Sequence, residues 1–325
     1  MLFVTSDGIP PVTRHELQRL GPTGIDRIPG HPQVIVVGRA AHPGVLTELD
    51  AMGLKATTIT APTLFELANS VDRFYGTVQN PDLGVATMET SASTGGNGVM
   101  DVLIGAPHAL PFLLPATHWV SHMPAGLLWV TEEQIPPPTV EALERRQGRA
   151  IMYVFGGPRE ISLRVVQKLS RFGRVTRVTN NDNMAFNRPP LDTPMTTSIA
   201  FAKMWDPVGM VGWNITGPGH GFTLVREEAS LEAVASAILS HLGFHAPLLL
   251  TPLGDGVPLE LEDYYALVAP TFLNTPAQGP YNMHYVVADY RQISWSAQAR
   301  IDYLSNMLNR RVWSQNTGSM YNNAF

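Results

Sequence analysis

The sequence predicts an α/β protein of three repeated modules, each a parallel sheet flanked by helices. Three observations carry that reading. Apolar runs of about five residues alternate with stretches of helical periodicity, as in buried parallel strands joined by covering helices. The fullest such stretch, Leu127 to Leu169, has counterparts that start at Leu2 and at Leu248. Their spacing of about 120 residues is too long for one layer of a solenoid and suits a small domain repeated.

The elements follow in order. Leu2 to Thr5 reads as the first strand, and Pro10 opens a helix that runs through Leu17. Val34 to Gly38 is a second strand, followed by a helix from Pro43 to Met52 that Gly53 ends. A strand at Lys55 to Thr60 precedes an amphipathic helix, Leu64 to Tyr75, whose Leu64, Leu67, Ala68 and Val71 share one face. Gly76 to Gly98 is rich in Gly, Ser, Thr and Asn and reads as a long connection between modules. Val99 to Ile104 is the next strand, and Pro107 to Met123 is helix-like.

The central copy then runs strand, helix, strand, helix. Its parts are Leu127 to Thr131, Pro136 through Leu143, Ile151 to Phe155, and Ile161 to Leu169 after the turn Gly156-Gly157-Pro158. Arg174 to Val178 is a strand, Asn180 to Pro194 a loop, and Met195 to Trp205 a helix. Val208 to Thr216 is read as the strand that corresponds to Val99–Ile104, with Ala229 to Leu242 as its helix. The third copy closes the chain with a strand from Leu248, a helix from Pro258, a strand from His284 to Ala288 and a last helix to Leu304.

Thr5, Thr131 and Thr251 fall in register, as do Pro10, Pro136 and Pro258, and then Leu17, Leu143 and Tyr265. The expected modules are 1–83, 84–206 and 207–309, with a polar tail at 310–325. The first module is expected to lack the opening strand and helix of the others, which leaves its sheet with an open edge. Open edges are templates for pairing with another chain. Trp313, Tyr321 and Phe325 are candidate anchors by which the tail packs on a neighbouring subunit in a ring or filament.

Composition narrows the function. With 325 residues and 44% hydrophobic content the chain can fill two or three cores, and no apolar run reaches a membrane span. A net charge of −5 argues against a nucleic-acid partner. There are no cysteines, which excludes thiol catalysis and disulfides. No basic segment with an apolar core precedes the first strand, so no signal peptide is visible.

Phe155–Ser162 (FGGPREIS) with Val175–Val178 (VTRV), and Pro247–Pro252 (PLLLTP) with Ala288–Ser294 (ADYRQIS), carry a resemblance. The chain resembles the cell wall-binding repeat 2 family of bacterial surface proteins over most of its length. At Thr63-Leu64-Phe65 and Thr196-Thr197 it lacks the Arg-Tyr pair with which that family opens the helix. The resemblance implies three Rossmann-like modules in a pseudo-threefold arrangement, no catalysis, no cofactor, a location at the cell surface or outside the cell, and binding to an anionic wall polymer.

Several motifs invite other chemistry. Thr216–Gly221 (TGPGHG), read as following a strand, could cradle phosphate. Gly254-Asp255-Gly256 with Asn282 matches the spacing of a thiamine diphosphate metal motif, while the repeat places it in a strand-to-helix turn. His118 and His122, four residues apart on a helix, would suit zinc or be an ordinary half-buried pair. Gly156-Gly157 is not a dinucleotide fingerprint. Arg159 and Arg291 recur three residues after the strand-ending Gly156 and Ala288, with Arg39 as a looser third. Loops at the carboxyl ends of parallel strands are where ligands bind, so these three are the candidate contacts to an anionic polymer. The alternative class is an α/β enzyme that handles a sugar, a nucleotide or thiamine diphosphate.

Overall fold

A computed structural model describes residues 1–25, 28, 30–79, 100–123, 125–179, 192–241, 243–252, 256–271 and 279–308. Among these, nine strands form three all-parallel sheets, in line with the three copies. The first sheet pairs β1 (Val34–Val37) with β2 (Ala56–Ile59). The second has the order β4-β3-β5-β6, built from β3 (Asp101–Gly105), β4 (Gly126–Trp129), β5 (Ala150–Phe155) and β6 (Gly173–Val178). The third has the order β8-β7-β9, from β7 (Gly221–Arg226), β8 (Leu248–Thr251) and β9 (Met283–Val286).

The helices are α1 (Pro11–Leu20), α2 (Pro43–Ala51), α3 (Leu64–Gln79), α4 (Leu110–His122), α5 (Pro137–Glu144) and α6 (Leu163–Leu169). They continue as α7 (Pro194–Lys203), α8 (Ser230–Ala235), α9 (Leu259–Val268) and α10 (Trp295–Asp302). Pro10, Pro136 and Pro258 cap α1, α5 and α9 with backbone angles within a few degrees of one another. Proline suits this place because its fixed φ is compatible with the entry to a helix. Three residues further on, the hydroxyls of Thr13 and Thr139 donate to the carbonyls of Phe3 and Trp129, at 2.7 and 2.6 Å. The first two copies are therefore alike down to single hydrogen bonds.

Two expected strands did not form. Leu2 to Thr5 has no strand pairing beyond a lone bridge between Thr5 and Gly8. Its counterpart β4 is joined only to β3. The first copy has no equivalent of β3 among its described residues, so Leu2–Thr5 has nothing to pair with. Val208–Thr216 is the second correction. It turns on itself through a bridge between Asp206 and Val211, and the strand lies later, at Gly221–Arg226. Val211 and Ile215 are buried as expected of a strand, but left-handed Met210 and Asn214 interrupt any extended run.

Helices act as shared layers between sheets. Phe112, Leu113, Ala116 and Trp119 of α4 enter the core of the second sheet, while Leu114 packs with Val225, Leu248 and Leu250 of the third. Helix α7 does the same, with Ala200 and Phe201 in one core and Met195, Ile199 and Ala202 in the next. A helix that is apolar all round is one buried on both sides. Helix α3 packs on α5 and β4, so it covers the second sheet rather than the first alone. Its buried face is also rotated from the expected one. Leu64 and Val71 are exposed, whereas Ala68 and Asn69 are buried.

Candidate functional site

The three arginines stand in the loops after β1, β5 and β9. Each precedes a helix N-cap by three residues. His42 caps α2, Ser162 caps α6 and Ser294 caps α10, with each side chain accepting from a backbone N–H of the first turn. Counted from the helix cap, Arg39 shares the register of Arg159 and Arg291, although it follows its strand by two residues where they follow theirs by four and five. Ile161 and Ile293, one residue before the caps, are buried, so the recurrent Ile-Ser pair anchors the loop and starts the helix.

Each loop is held rigidly while its arginine points out. In the second copy, the Arg177 guanidinium donates to the carbonyls of Gly156 and Ile161 and braces the turn that carries Arg159. Arg177 lies in the Val175–Val178 motif, the signal by which it could have been found. In the third copy, Asp289 Oδ1 accepts from the backbone N–H groups of Arg291 and Gln292 at 2.7 and 3.1 Å. In the first, the His42 ring bonds the Ser6 carbonyl, and the matching contact in the second is Ser162 N–H to the Glu132 carbonyl. All three arginines are exposed. Among the described residues no carboxylate is ion-paired with them, and Arg291 lies over the Tyr290 ring at 5.5 Å. The three stand in separate loops, one on each sheet. Trp313, Tyr321 and Phe325 lie outside the described residues.

Two parts of the rival motifs have structural places. Thr216–Gly221 precedes β7 instead of following a strand, which puts it at the amino end of the sheet, away from the usual ligand side. Asn282 is buried and committed. Its Oδ1 accepts from Gly219 and His220 N–H, and its amide donates to the Val268 and Ser305 carbonyls. Gly254 and Asp255 lie outside the described residues.

His118 and His122 part company. His118 is fully buried and bonds the Ala246 and Ala233 carbonyls at 3.0 and 3.2 Å, and burial pushes it down to about 4. His122 stacks on Trp213 and meets His245 and His241 edge-on, also falling to about 4 through burial and then those two rings. Among the described residues, no group of three His, Asp or Glu side chains is placed to hold a metal ion.

Sequence reasoning missed two buried charge clusters. Asp72 of α3 receives Arg146 through both oxygens and Arg145 through one, at 2.6 to 3.1 Å, and Arg146 is itself buried. The second cluster lies under the second sheet. Tyr153 Oη and Arg174 both donate to Asp206 at 2.6 Å, while Asp101, 3% exposed, has Oδ1 without a partner. Gly209 closes over this group. A Cβ there would strike the Tyr153 hydroxyl and crowd Asp101. Burial and the neighbouring Asp206 push the Asp101 carboxyl up to about 7, against a smaller opposing effect of Arg146. No periodicity marks either cluster, because its members come from distant parts of the chain.

No family profile and no curated protein matches the sequence. Among the solved structures that share its fold are two from one organism. Cwp6 from Clostridium difficile aligns with a TM-score of 0.62 at 13% identity, over 94% of this chain and 39% of its own. Cwp8 from the same organism aligns at 0.56 and 13% identity, over 85% of this chain and 38% of its own. The chain thus spans about two fifths of each neighbour, and both neighbours are cell wall proteins.

Proposed function

We propose that this chain is a non-catalytic cell-surface protein whose three modules, bounded near residues 83, 206 and 309, hold it to an anionic wall polymer. The observation that carries the reading is the recurrence, in all three copies, of one exposed arginine three residues before a capped helix start. A catalytic centre would differ between copies, whereas a repeated single cation suits a repeated anion along a polymer. The fold shared with two cell wall proteins supports the same reading.

The test is co-sedimentation of the full chain with cell-wall sacculi that retain their attached polysaccharide. Arg39→Ala, Arg159→Ala and Arg291→Ala together should weaken retention and flatten its salt dependence, with the melting temperature unchanged. Retention equal to that of the parent would remove these arginines as contacts. Self-association is the second part of the proposal. The two-stranded first sheet offers unpaired strand edges among its described residues. Trp313, Tyr321 and Phe325 would anchor the tail there on a neighbouring subunit. Ending the chain at Arg311 should then lower the mass in solution, and an unchanged mass would exclude the tail from assembly.

A further inference from the structure

Because the three arginine loops share one template, subtracting what they have in common leaves what is special to each. At the residue before the arginine stand Gly38, Pro158 and Tyr290. At the first residue after the helix cap stand Pro43, Leu163 and Trp295. Only the third loop carries an aromatic at both places, and both rings face solvent, with Tyr290 52% and Trp295 69% exposed. Their planes lie 4° from parallel with centroids 6.2 Å apart.

Neither ring is needed to build the loop. Leu163 occupies the Trp295 place in the second copy at 68% exposure, and the α6 cap forms just as well. The backbone beneath them is nevertheless held, since Asp289 locks the turn under Tyr290 and Ser294 locks the helix start at Trp295. Two parallel rings on this hydrogen-bonded backbone, open to water, form a stacking surface. The Arg291 guanidinium lies over the Tyr290 ring at 5.5 Å, which puts a cation on one face of that ring, beside the Trp295 face left open to solvent. Trp295 is exposed, so its indole N–H can donate to a ligand.

We propose that Tyr290, Trp295 and Arg291 form a saccharide-binding platform special to the third module, which stacks sugar rings of an acidic polysaccharide. A pyranose presents a flat face of C–H groups to an aromatic ring and hydroxyls at its rim to the indole N–H, and an acidic substituent pairs with Arg291. Single-stranded nucleic acid would also stack, but it needs a positively charged groove, and the chain's net charge is −5. The platform deepens the anchoring reading and rests on it for the source of the polysaccharide.

The test uses the full chain, a Tyr290→Ala, Trp295→Leu double variant and the triple arginine variant. Trp295→Leu restores the residue that the second copy tolerates at that place. The probes are sacculi of Clostridium difficile, the polysaccharide released from them by acid, and polyuridylate. The released polysaccharide should shift the parent's tryptophan fluorescence. The aromatic variant should lose that response and bind at least tenfold more weakly, at an unchanged melting temperature. If the aromatic variant binds like the parent while the arginine variant does not, the platform is wrong and the anchoring reading survives. If the released polysaccharide binds but the parent ignores sacculi, anchoring is wrong and the platform survives. No response to saccharide, or a response to polyuridylate instead, overturns the platform.

Discussion

Asp101→Asn should make the protein more stable at neutral pH. The carboxyl is buried at the start of β3 and faces Asp206, which Tyr153 and Arg174 already satisfy, with Arg146 favouring its ionisation to a smaller extent. Its folded-state value is raised from 3.8 to about 7. In the folded state the proton stays on while the unfolded chain has lost it. Stability therefore falls as pH rises from about 4 to about 7 and is level outside that window. A rise of about three pH units at about 1.4 kcal/mol each gives a penalty of roughly 4 kcal/mol, an upper figure. The amide keeps the shape and carries no charge, so the variant should gain up to about that amount at pH 8 and little near pH 4. Urea unfolding of parent and variant across pH 4.5 to 8 measures it, and only the difference between the two counts. Buried histidines give the parent an opposite slope in part of the same range, which cancels in that difference. A variant no more stable than the parent at pH 8 would refute the reasoning.

Three further outcomes are expected. Arg146→Met leaves Asp72 short of its buried partner and should cost about 3–5 kcal/mol in urea unfolding, and adding Asp72→Leu should restore much of it. Gly173→Ala should destabilise by several kcal/mol or prevent folding, because φ is +146 and a Cβ would run into the Ala150 backbone across β5 and β6. His118 and His284, both held down to about 4 by burial, are neutral in the folded state, so stability should fall as pH drops from about 6.5 to about 4. His118→Asn should shrink the acid loss by up to about 3 kcal/mol relative to the parent, whatever its effect at neutral pH.

What was legible in the sequence was local. Helix starts at Pro10, Pro136 and Pro258 are set by the residue itself, and the apolar runs at Val34, Ile151 and Leu248 became strands where expected. What was not legible depended on neighbours. Leu2–Thr5 has the composition of a strand and lacks a partner, and nothing within four residues can report that. Val208–Thr216 has strand-like apolar spacing, yet backbone turns at Met210 and Asn214 claim it. Helix α3 misled for a third reason, since Asn69 and Asp72 look like surface residues until Glu141 of α5 and Arg145 and Arg146 just after it meet them. The arginine template lay between these cases. Its spacing is visible in two copies, and in the third His42 does the work of the capping serine.

The helices that serve two sheets decide how this chain responds to being pulled. Under tension along its length, a string of separate beads gives way one bead at a time, each with its own force peak. Here α4 and α7 each have their apolar residues divided between two cores, so extracting either strips both at once. The second and third sheets should yield in one event, and neither should be transplantable into another protein without carrying its neighbour's helix along.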